Sequence, residues 1–498
     1  MPPPYLLAID QGTTSTRAVV YDATARARGS AARELTQHYP RPGWVEHDAE
    51  EIWQGVREVV PAALAAAGVG GADLTAVGLT NQRETSLLWD RQTGAPVARA
   101  IVWQDRRTAD FCRDRAADVG WLHEKSGLIL DPYFSATKLA WLLGQDPAWR
   151  RRAADGGLAA GTIDSFLLWR LTGGRVHATD RTNASRTLLA DLRSADWDAG
   201  LCRYFGVPEA CLGEVHPSAG DHGVTAGLDF LPDGVPLRGL AGDQQAALFG
   251  QCAFAPGEAK CTYGTGAFFL QHLGPRPMLS RHRLLTTVAA TAAGPPEYAL
   301  EGAVFIAGAA VQWLRDGLKL FAEAPAVEEL ASRSDPEQPV IFVPGFVGLG
   351  APHWAPEARG VLFGLTRGTS AADVSRATLE GVAFQVADLI DAAAQDARSR
   401  LSALRVDGGM ARNAWFLQRQ ADVLGLAVEA SAASEATALG AAFLAGWAAG
   451  VWPDRDALRA TAARPTAFAP RWTDEVRQAR QDQWRRAVRA VIAFYRGD

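Results

Sequence analysis

The chain has 498 residues, 48% hydrophobic and 21% charged; that is more than one core usually fills, so two large globular domains are the default and disorder is excluded. Its 50 Lys and Arg against 55 Asp and Glu leave a net charge of −5, which excludes a general attraction to nucleic acid or anionic lipid. The five cysteines, at positions 112, 202, 211, 252 and 261, form no CxxC pair and leave an odd count, so packed thiols in a reducing cytosol are expected in place of a disulfide framework or zinc site.

The chain opens without a basic-then-apolar leader, and no apolar run reaches membrane length, so no membrane insertion is expected. Leu6 to Ile9 and Ala18 to Val20 flank Asp10-Gln-Gly-Thr-Thr-Ser15, which reads as strand, tight turn, strand. Asp10 can hold a divalent cation, and Gly12 lets backbone N–H groups approach a phosphate. An ordinary hairpin with a polar turn has the same pattern. A second strand follows where a dinucleotide fold would place a long helix, and neither GxGxxG nor GxxxxGK[ST] is present here.

Asp48 with Glu51 resembles a capping box ahead of a helix carrying Ile52, Val56 and Val59, bent at Pro61 and ended at Gly68. Thr75 to Thr80 is a buried strand that delivers Arg83 and Glu84 past its carboxyl end, where α/β folds commonly bind ligands. A structural ion pair is the other reading of these two residues. Ile101-Val-Trp103 repeats the arrangement of an apolar strand feeding polar side chains, and Trp103 fits either an apolar pocket wall or the core. Residues 108–125 and 136–170 are mainly helical by spacing, with a loop that can carry Tyr133 toward a pocket. Thr179 to Thr187 reads as a hydroxyl-rich surface segment.

Asp243 follows a strand-like run near the best domain boundary, at 244–256. The second half then restarts the pattern of the first, because Ala259 to Leu270 is again strand, Gly/Thr turn, strand around Gly264-Thr-Gly266. Glu301 to Gly308 opens a helix carrying Gln312, and 341–354 is a Gly/Pro-rich excursion over or beside a cleft. A long helix starts at Ala372-Asp373, and a short strand through Val406 ends in Asp407-Gly-Gly409. Asn413 starts the next helix, and Ala436 to Gly446 is a close-packing small-residue helix. Three Gly/Thr-rich turns, at 10–17, 264–266 and 408–409, can surround ATP, and a carboxylate with Mg²⁺ then suffices for phosphoryl transfer.

Asp10-Gln-Gly-Thr-Thr-Ser15, Pro42-Gly-Trp-Val-Glu-His-Asp48, Thr80-Asn-Gln-Arg-Glu-Thr85, Asp131-Pro-Tyr-Phe-Ser135, Ala241 to Gly250, Tyr263-Gly-Thr-Gly266, Glu301 to Gly308, Gly348 to Trp354, Gly364 to Gly368 and Asp407-Gly-Gly409 together resemble the FGGY carbohydrate-kinase family over almost the whole chain. The resemblance implies an α/β fold of two related actin-like (ribonuclease H-like) ATPase domains flanking a deep cleft. It implies a polyol- and phosphate-binding domain over 1–250, a nucleotide-binding domain over 251–460 and a helical tail over 461–498. The 80–85, 42–48 and 241–250 segments are similar to the members that phosphorylate glycerol to sn-glycerol 3-phosphate with ATP and Mg²⁺. Another small polyol or ketose is the alternative substrate, and a non-catalytic actin-like ATP-binding protein the alternative class.

By the same resemblance Asp243 is the general base, and Arg83, Glu84, Tyr133, Asp243 and Gln244 hydrogen-bond glycerol against a wall of Trp103 and Phe268. Thr13, Thr14 and Ser15 contact phosphate with Arg17 nearby, while Asp10 and Asp243 position Mg²⁺. Thr265, Gly308, Gln312, Gly409 and Asn413 match nucleotide positions, and a homodimer or homotetramer is implied. Met410-Ala-Arg412 departs from the more frequent Val/Ala-Asn. Residues 219–236 lack the basic glycine-rich regulatory loop of some members and do not clearly match the phosphorylated histidine loop of others, although His222 is near.

Overall fold

The computed structural model describes residues 4–398, 400–433 and 435–497. Its first sheet is built on Tyr5–Gln11, where four consecutive residues, Leu6 to Ile9, are fully buried. Both faces of the strand are therefore covered. Leu7 and Ile9 meet Ile52 and Val56 of the helix Ala49–Ala67, whereas Leu6 and Ala8 meet Ala438, Ala441 and Leu444 of the helix Ala436–Ala448. The small-residue helix of the second half thus lies on the sheet of the first. It sits so close that a Cβ on Gly78 of that sheet would lie 2.1 Å from the Ala441 carbonyl oxygen, and it packs as tightly on the helix Asp243–Gly250, where a Cβ on Gly440 would lie 1.8 Å from the Ala246 carbonyl oxygen.

The two halves repeat one topology. In the first, Tyr5–Gln11 pairs antiparallel with Ser15–Asp22, which pairs antiparallel with Ala27–Glu34. On its other side Tyr5–Gln11 pairs parallel with Leu74–Asn81, and that strand pairs parallel with Leu237–Gly242. In the second, Ala259–Tyr263, Ala267–Gly274, Tyr298–Val304, Ala403–Asp407 and Ala427–Ala430 occupy the same places with the same directions. Leu285–Val288 and Thr466–Phe468 extend its two edges. In each half the hairpin turn and the carboxyl ends of the parallel strands leave one edge of the sheet, so the polar segments of distant sequence regions converge there.

The second core is organised by Ala371–Ala397, which starts in a reciprocal capping box between Ser370 and Asp373. Leu379, Val382, Val386 and Leu389 face the sheet, and the final helix Asp474–Arg496 lays Trp484 on Phe384 with ring centroids 5.5 Å apart. The 341–354 excursion joins this core through Val343, Leu349 and Ala351. Among the described residues no helix is long and apolar enough to cross a membrane, and all five cysteines are buried free thiols.

Four local expectations are corrected. Asp48 caps its helix through the N–H groups of Glu50 and Glu51, but Glu51 spends its carboxylate on Thr36, so the expected reciprocal box is only half formed. The mainly helical 136–170 region contains the strand Leu158–Thr162, whose small residues pair with Ser86–Asp90 in a separate sheet. Glu301 lies within the strand Tyr298–Val304 and the helix begins only at Gly308, since β-sheet pairing with Leu270 and Leu285 holds Glu301. Most consequentially, Thr179 to Thr187 is not a surface segment. Thr182, Asn183 and Arg186 are fully buried, because Asp180 caps a short turn of helix and their polar groups turn to internal partners, Arg186 Nη1 alone of the Arg186 nitrogens having none among the described residues.

Candidate active site

Leu74–Asn81 delivers Arg83 and Glu84 into a buried cluster of charges. Arg83 Nη1 donates to Glu301 Oε2 at 2.5 Å and to Gln245 Oε1 at 3.1 Å, and Nη2 donates to Glu301 Oε1 at 2.8 Å and to the Tyr133 hydroxyl at 3.4 Å. Its Nε faces Asp243 Oδ1 at 3.4 Å and Glu84 Oε1 at 3.7 Å. The Arg83 stem passes so near Gly242 that a Cβ there would lie 2.6 Å from Cγ, which explains glycine immediately before Asp243.

Glu84 has φ of +60°, a left-handed conformation that non-glycine residues seldom adopt. Three contacts hold it: Ser86 and Ser135 donate to its carbonyl, and Arg186 Nε donates to its Oε1 at 2.6 Å. Burial pushes the Glu84 carboxyl up despite Arg83 and Arg186. Glu301 is buried too, yet Arg186 and Arg83 outweigh that cost and hold it down at about 2.

Asp243 is the first residue of the helix Asp243–Gly250, and its Oδ1 accepts the Gln244 N–H at 2.7 Å. Burial raises its proton affinity, and the cations Arg83 and Lys260 offset part of the rise. A carboxylate tuned upward, with 28% of its side chain still exposed, suits proton acceptance from an alcohol. Gln244 reaches the second half, where Lys260 Nζ donates to its Oε1 at 2.5 Å and to Thr262 at 2.9 Å. Burial depresses the Lys260 ammonium, with Asp407 opposing the shift.

The 10–17 hairpin borders this cluster. Gly12 N–H closes the turn onto the Ser15 carbonyl at 2.9 Å, so the N–H groups left without a protein acceptor among the described residues are those of Thr13 and Thr14. Trp103 Nε1 donates to Thr13 Oγ1 at 2.9 Å. The Trp103 ring stands edge-on to Tyr133 at 5.6 Å and to Phe268 of the second half at 6.2 Å, and this half-buried tryptophan lies between aromatic rings of the two halves. Lys138 pins the Tyr133 loop by donating to the carbonyls of Pro132, Tyr133 and Phe134.

Asp10 carries a carboxyl raised from 3.8 to about 7 by burial and by the nearby negative charges of Asp243 and Glu435, with Arg17 opposing. A divalent cation would relieve that repulsion, so the donor set fits one. Among the described residues no group of three or more His, Cys, Asp or Glu is arranged to hold a metal. Arg17, opposite Asp10 in the hairpin, is ion-paired with Glu435 ahead of the helix Ala436–Ala448.

On the other sheet the 264–266 turn grips the next helix, since Gly308 N–H donates to the Gly264 carbonyl and those of Ala307 and Ala309 to the Thr265 carbonyl. Gly409 opens a turn at the end of the neighbouring parallel strand, and Asn413 caps Ala414–Leu424 by accepting the Phe416 N–H at 2.8 Å. Gln312 is exposed at the end of the short helix Gly308–Gln312.

The structure thus joins Arg83, Glu84, Tyr133 and Asp243 directly, places Trp103, Thr13 and Phe268 along one wall, and gathers Thr265 with Gly308. Sequence reasoning missed Arg186, Gln245, Lys260 and Glu435 as members and assigned Glu301 no role in the site. Two signals were present: Lys260 is one of only four lysines and stands in an apolar strand, and Arg186 is the last charged residue of a polar run that ends at Thr187, just ahead of Leu188 and Leu189.

Two five-strand repeats with polar edges flanking a cleft define an actin-like ATPase fold. Residues 5–250 match the N-terminal domain, and residues 259–449 the C-terminal domain, of the FGGY family of carbohydrate kinases. The chain belongs to that family. It is 51% identical over 493 residues to the glycerol kinase of Methylobacterium nodulans, covering 98% of each chain. It is 52% identical over 495 residues to that of Alkalilimnicola ehrlichii, covering 99% of each. The crystal structure of Plasmodium falciparum glycerol kinase with ADP superposes with a TM-score of 0.91 at 34% identity, over 98% of both chains.

Proposed function

We propose that the chain transfers the terminal phosphoryl group of ATP to glycerol, giving sn-glycerol 3-phosphate and ADP. The observation that carries this reading is the polar cluster of Arg83, Glu84, Tyr133 and Asp243 beside the 13–15 turn, in a chain matched end to end by glycerol kinases. Arg83 donates and Glu84 accepts, so together they answer hydroxyls that do both. Trp103, Tyr133 and Phe268 cover the carbon chain, and Gln244 adds a side-chain amide at the rim.

As the 3-hydroxyl oxygen bonds to the γ-phosphorus, Asp243 accepts the hydroxyl proton and the bond from phosphorus to the bridging oxygen breaks to release ADP. Thr13, Thr14 and Ser15 hold the transferring phosphoryl group with Arg17 near, and Thr265, Gly308, Gln312, Gly409 and Asn413 hold the nucleotide. Mg²⁺, held on the protein side by Asp10 and Asp243, supplies neutralisation of phosphate charge when bound. We divide the chain at 250 and 460, with the helix Ala436–Ala448 crossing that division to pack on the first sheet. We place it in the cytosol, a reading supported by its unpaired buried thiols. Assembly as a homodimer or homotetramer rests on the family resemblance.

The test is steady-state turnover of purified protein with ATP and glycerol, dihydroxyacetone, erythritol, xylulose or ribulose in turn. Glycerol is expected to give the highest kcat/KM. A clear preference for a pentulose would overturn the substrate assignment in favour of another kinase of this family.

A further inference from the structure

Three of the residues assigned to glycerol share one support that touches no solvent. Arg186 is fully buried; its Nε holds Glu84, its Nη2 donates to Glu301 Oε1 at 3.0 Å, and its guanidinium lies 5.6 Å from the centroid of the Tyr133 ring. Glu301, 1% exposed, receives both terminal nitrogens of Arg83 as well as Arg186. The two halves of the chain meet in this contact: Arg83 and Arg186 belong to the first, whereas Glu301 lies within Tyr298–Val304, the strand next to one edge of the second sheet.

We propose that Arg186 and Glu301 are positioning residues for the polyol, and that Glu301 orients Arg83 from the opposite half of the molecule. This inference rests on the reading of Arg83, Glu84 and Tyr133 as polyol contacts. The bidentate geometry gives the physical reason. A guanidinium fixed at both Nη atoms cannot swing, which directs its Nε edge toward Asp243 and the substrate side. Glu301 is the carboxylate of the cluster that both arginines keep ionised, so Glu84 need not serve as their principal counter-charge. Glu84 gives Oε1 to Arg186, and its Oε2 has no hydrogen-bond partner among the described residues, leaving that oxygen for a hydroxyl. A pocket organised in this way recognises polyol only while the two sheets stand in register with one another.

The experiment compares Glu301→Gln and Arg186→Lys with the parent protein, each alone and in an Arg83→Ala background. Gln keeps the size of Glu301 but not its charge, and Lys cannot reach two carboxylates with a planar fork. Each single variant is expected to raise the glycerol KM about 10- to 100-fold, the loss of one or two charge-assisted hydrogen bonds. The ATP KM should stay within about twofold, which also reports an intact fold. In the Arg83→Ala background Glu301→Gln should change the glycerol KM by less than about twofold, because its route of action is already gone. An unchanged glycerol KM in the single variants, or a full further loss from Glu301→Gln in the Arg83→Ala background, would overturn the inference. If one variant fails to fold, the other carries the same expectation. Should the parent protein prefer another polyol, the glycerol reading fails while the same comparison with that polyol still decides the role of Glu301.

Discussion

The raised carboxyl of Asp10 makes a prediction whose sign and size follow from its surroundings. In the unfolded chain this group loses its proton near 3.8, whereas in the folded protein burial, then Asp243 and Glu435, hold the proton until about 7. Between those values the folded state binds more protons than the unfolded one, so stability falls as pH rises, and the penalty is complete above about pH 7. A shift of about 3 units at ~1.36 kcal/mol each sets an upper bound of about 4 kcal/mol. Partial exposure of Asp10 to water makes the realised penalty smaller. Asp10→Asn should therefore leave thermal stability near pH 4 unchanged and raise it near pH 8. Mg²⁺ competes with the same proton, so it should raise the Tm of the parent protein near pH 8 and have little effect near pH 5. Thermal unfolding across this range, with and without Mg²⁺, checks both statements. An Asp10→Asn variant with the same pH profile as the parent, or Mg²⁺ stabilisation equal at both pH values, would refute the placement of charge and cation at Asp10.

Arg83→Ala removes the donor and leaves Glu301 and Asp243 short of a counter-ion; the glycerol KM should rise at least about 100-fold with the ATP KM much less affected, as steady-state kinetics will report. Trp103→Phe keeps the apolar wall but deletes the bond to Thr13, so kcat is expected to fall by about 3- to 10-fold through a looser phosphate turn. Gly440→Val drives a side chain into the Ala246 carbonyl; denaturant unfolding should show a loss of at least about 3 kcal/mol, since backbone packed against backbone has no slack.

How much of this was legible in the sequence depended on how local each feature is. The strand–turn–strand units at Asp10 and Gly264 could be read because their hydroxyl and glycine turns lie between contiguous apolar runs, and their recurrence pointed to two related halves. The helix expected from Ala372-Asp373 was legible from the helical spacing of its apolar residues, and it begins at Ala371. What escaped was non-local. Arg186 meets Glu84 across 102 positions and Glu301 meets Arg83 across 218, so no spacing along the chain advertises either pair. The same cause misplaced Thr179 to Thr187: hydroxyls and charges read as surface until buried partners such as Asn81, Ser218 and Thr287 are brought to them by the fold. Glu51 shows the opposite failure, a local pairing that was legible but lost to the two donors of Thr36, its N–H and its hydroxyl.

The claim on which the mechanism turns is that the Asp243 carboxylate takes the proton of the attacking hydroxyl. Asp243→Asn preserves the shape of that residue and an oxygen that can accept the Gln244 N–H while removing the basic carboxylate. Turnover with saturating ATP and glycerol, measured alongside the glycerol Kd by calorimetry, is predicted to drop by about 10²- to 10⁴-fold with the Kd changed by less than about tenfold. A folded Asp243→Asn protein that phosphorylates glycerol at close to the parent rate would contradict the account.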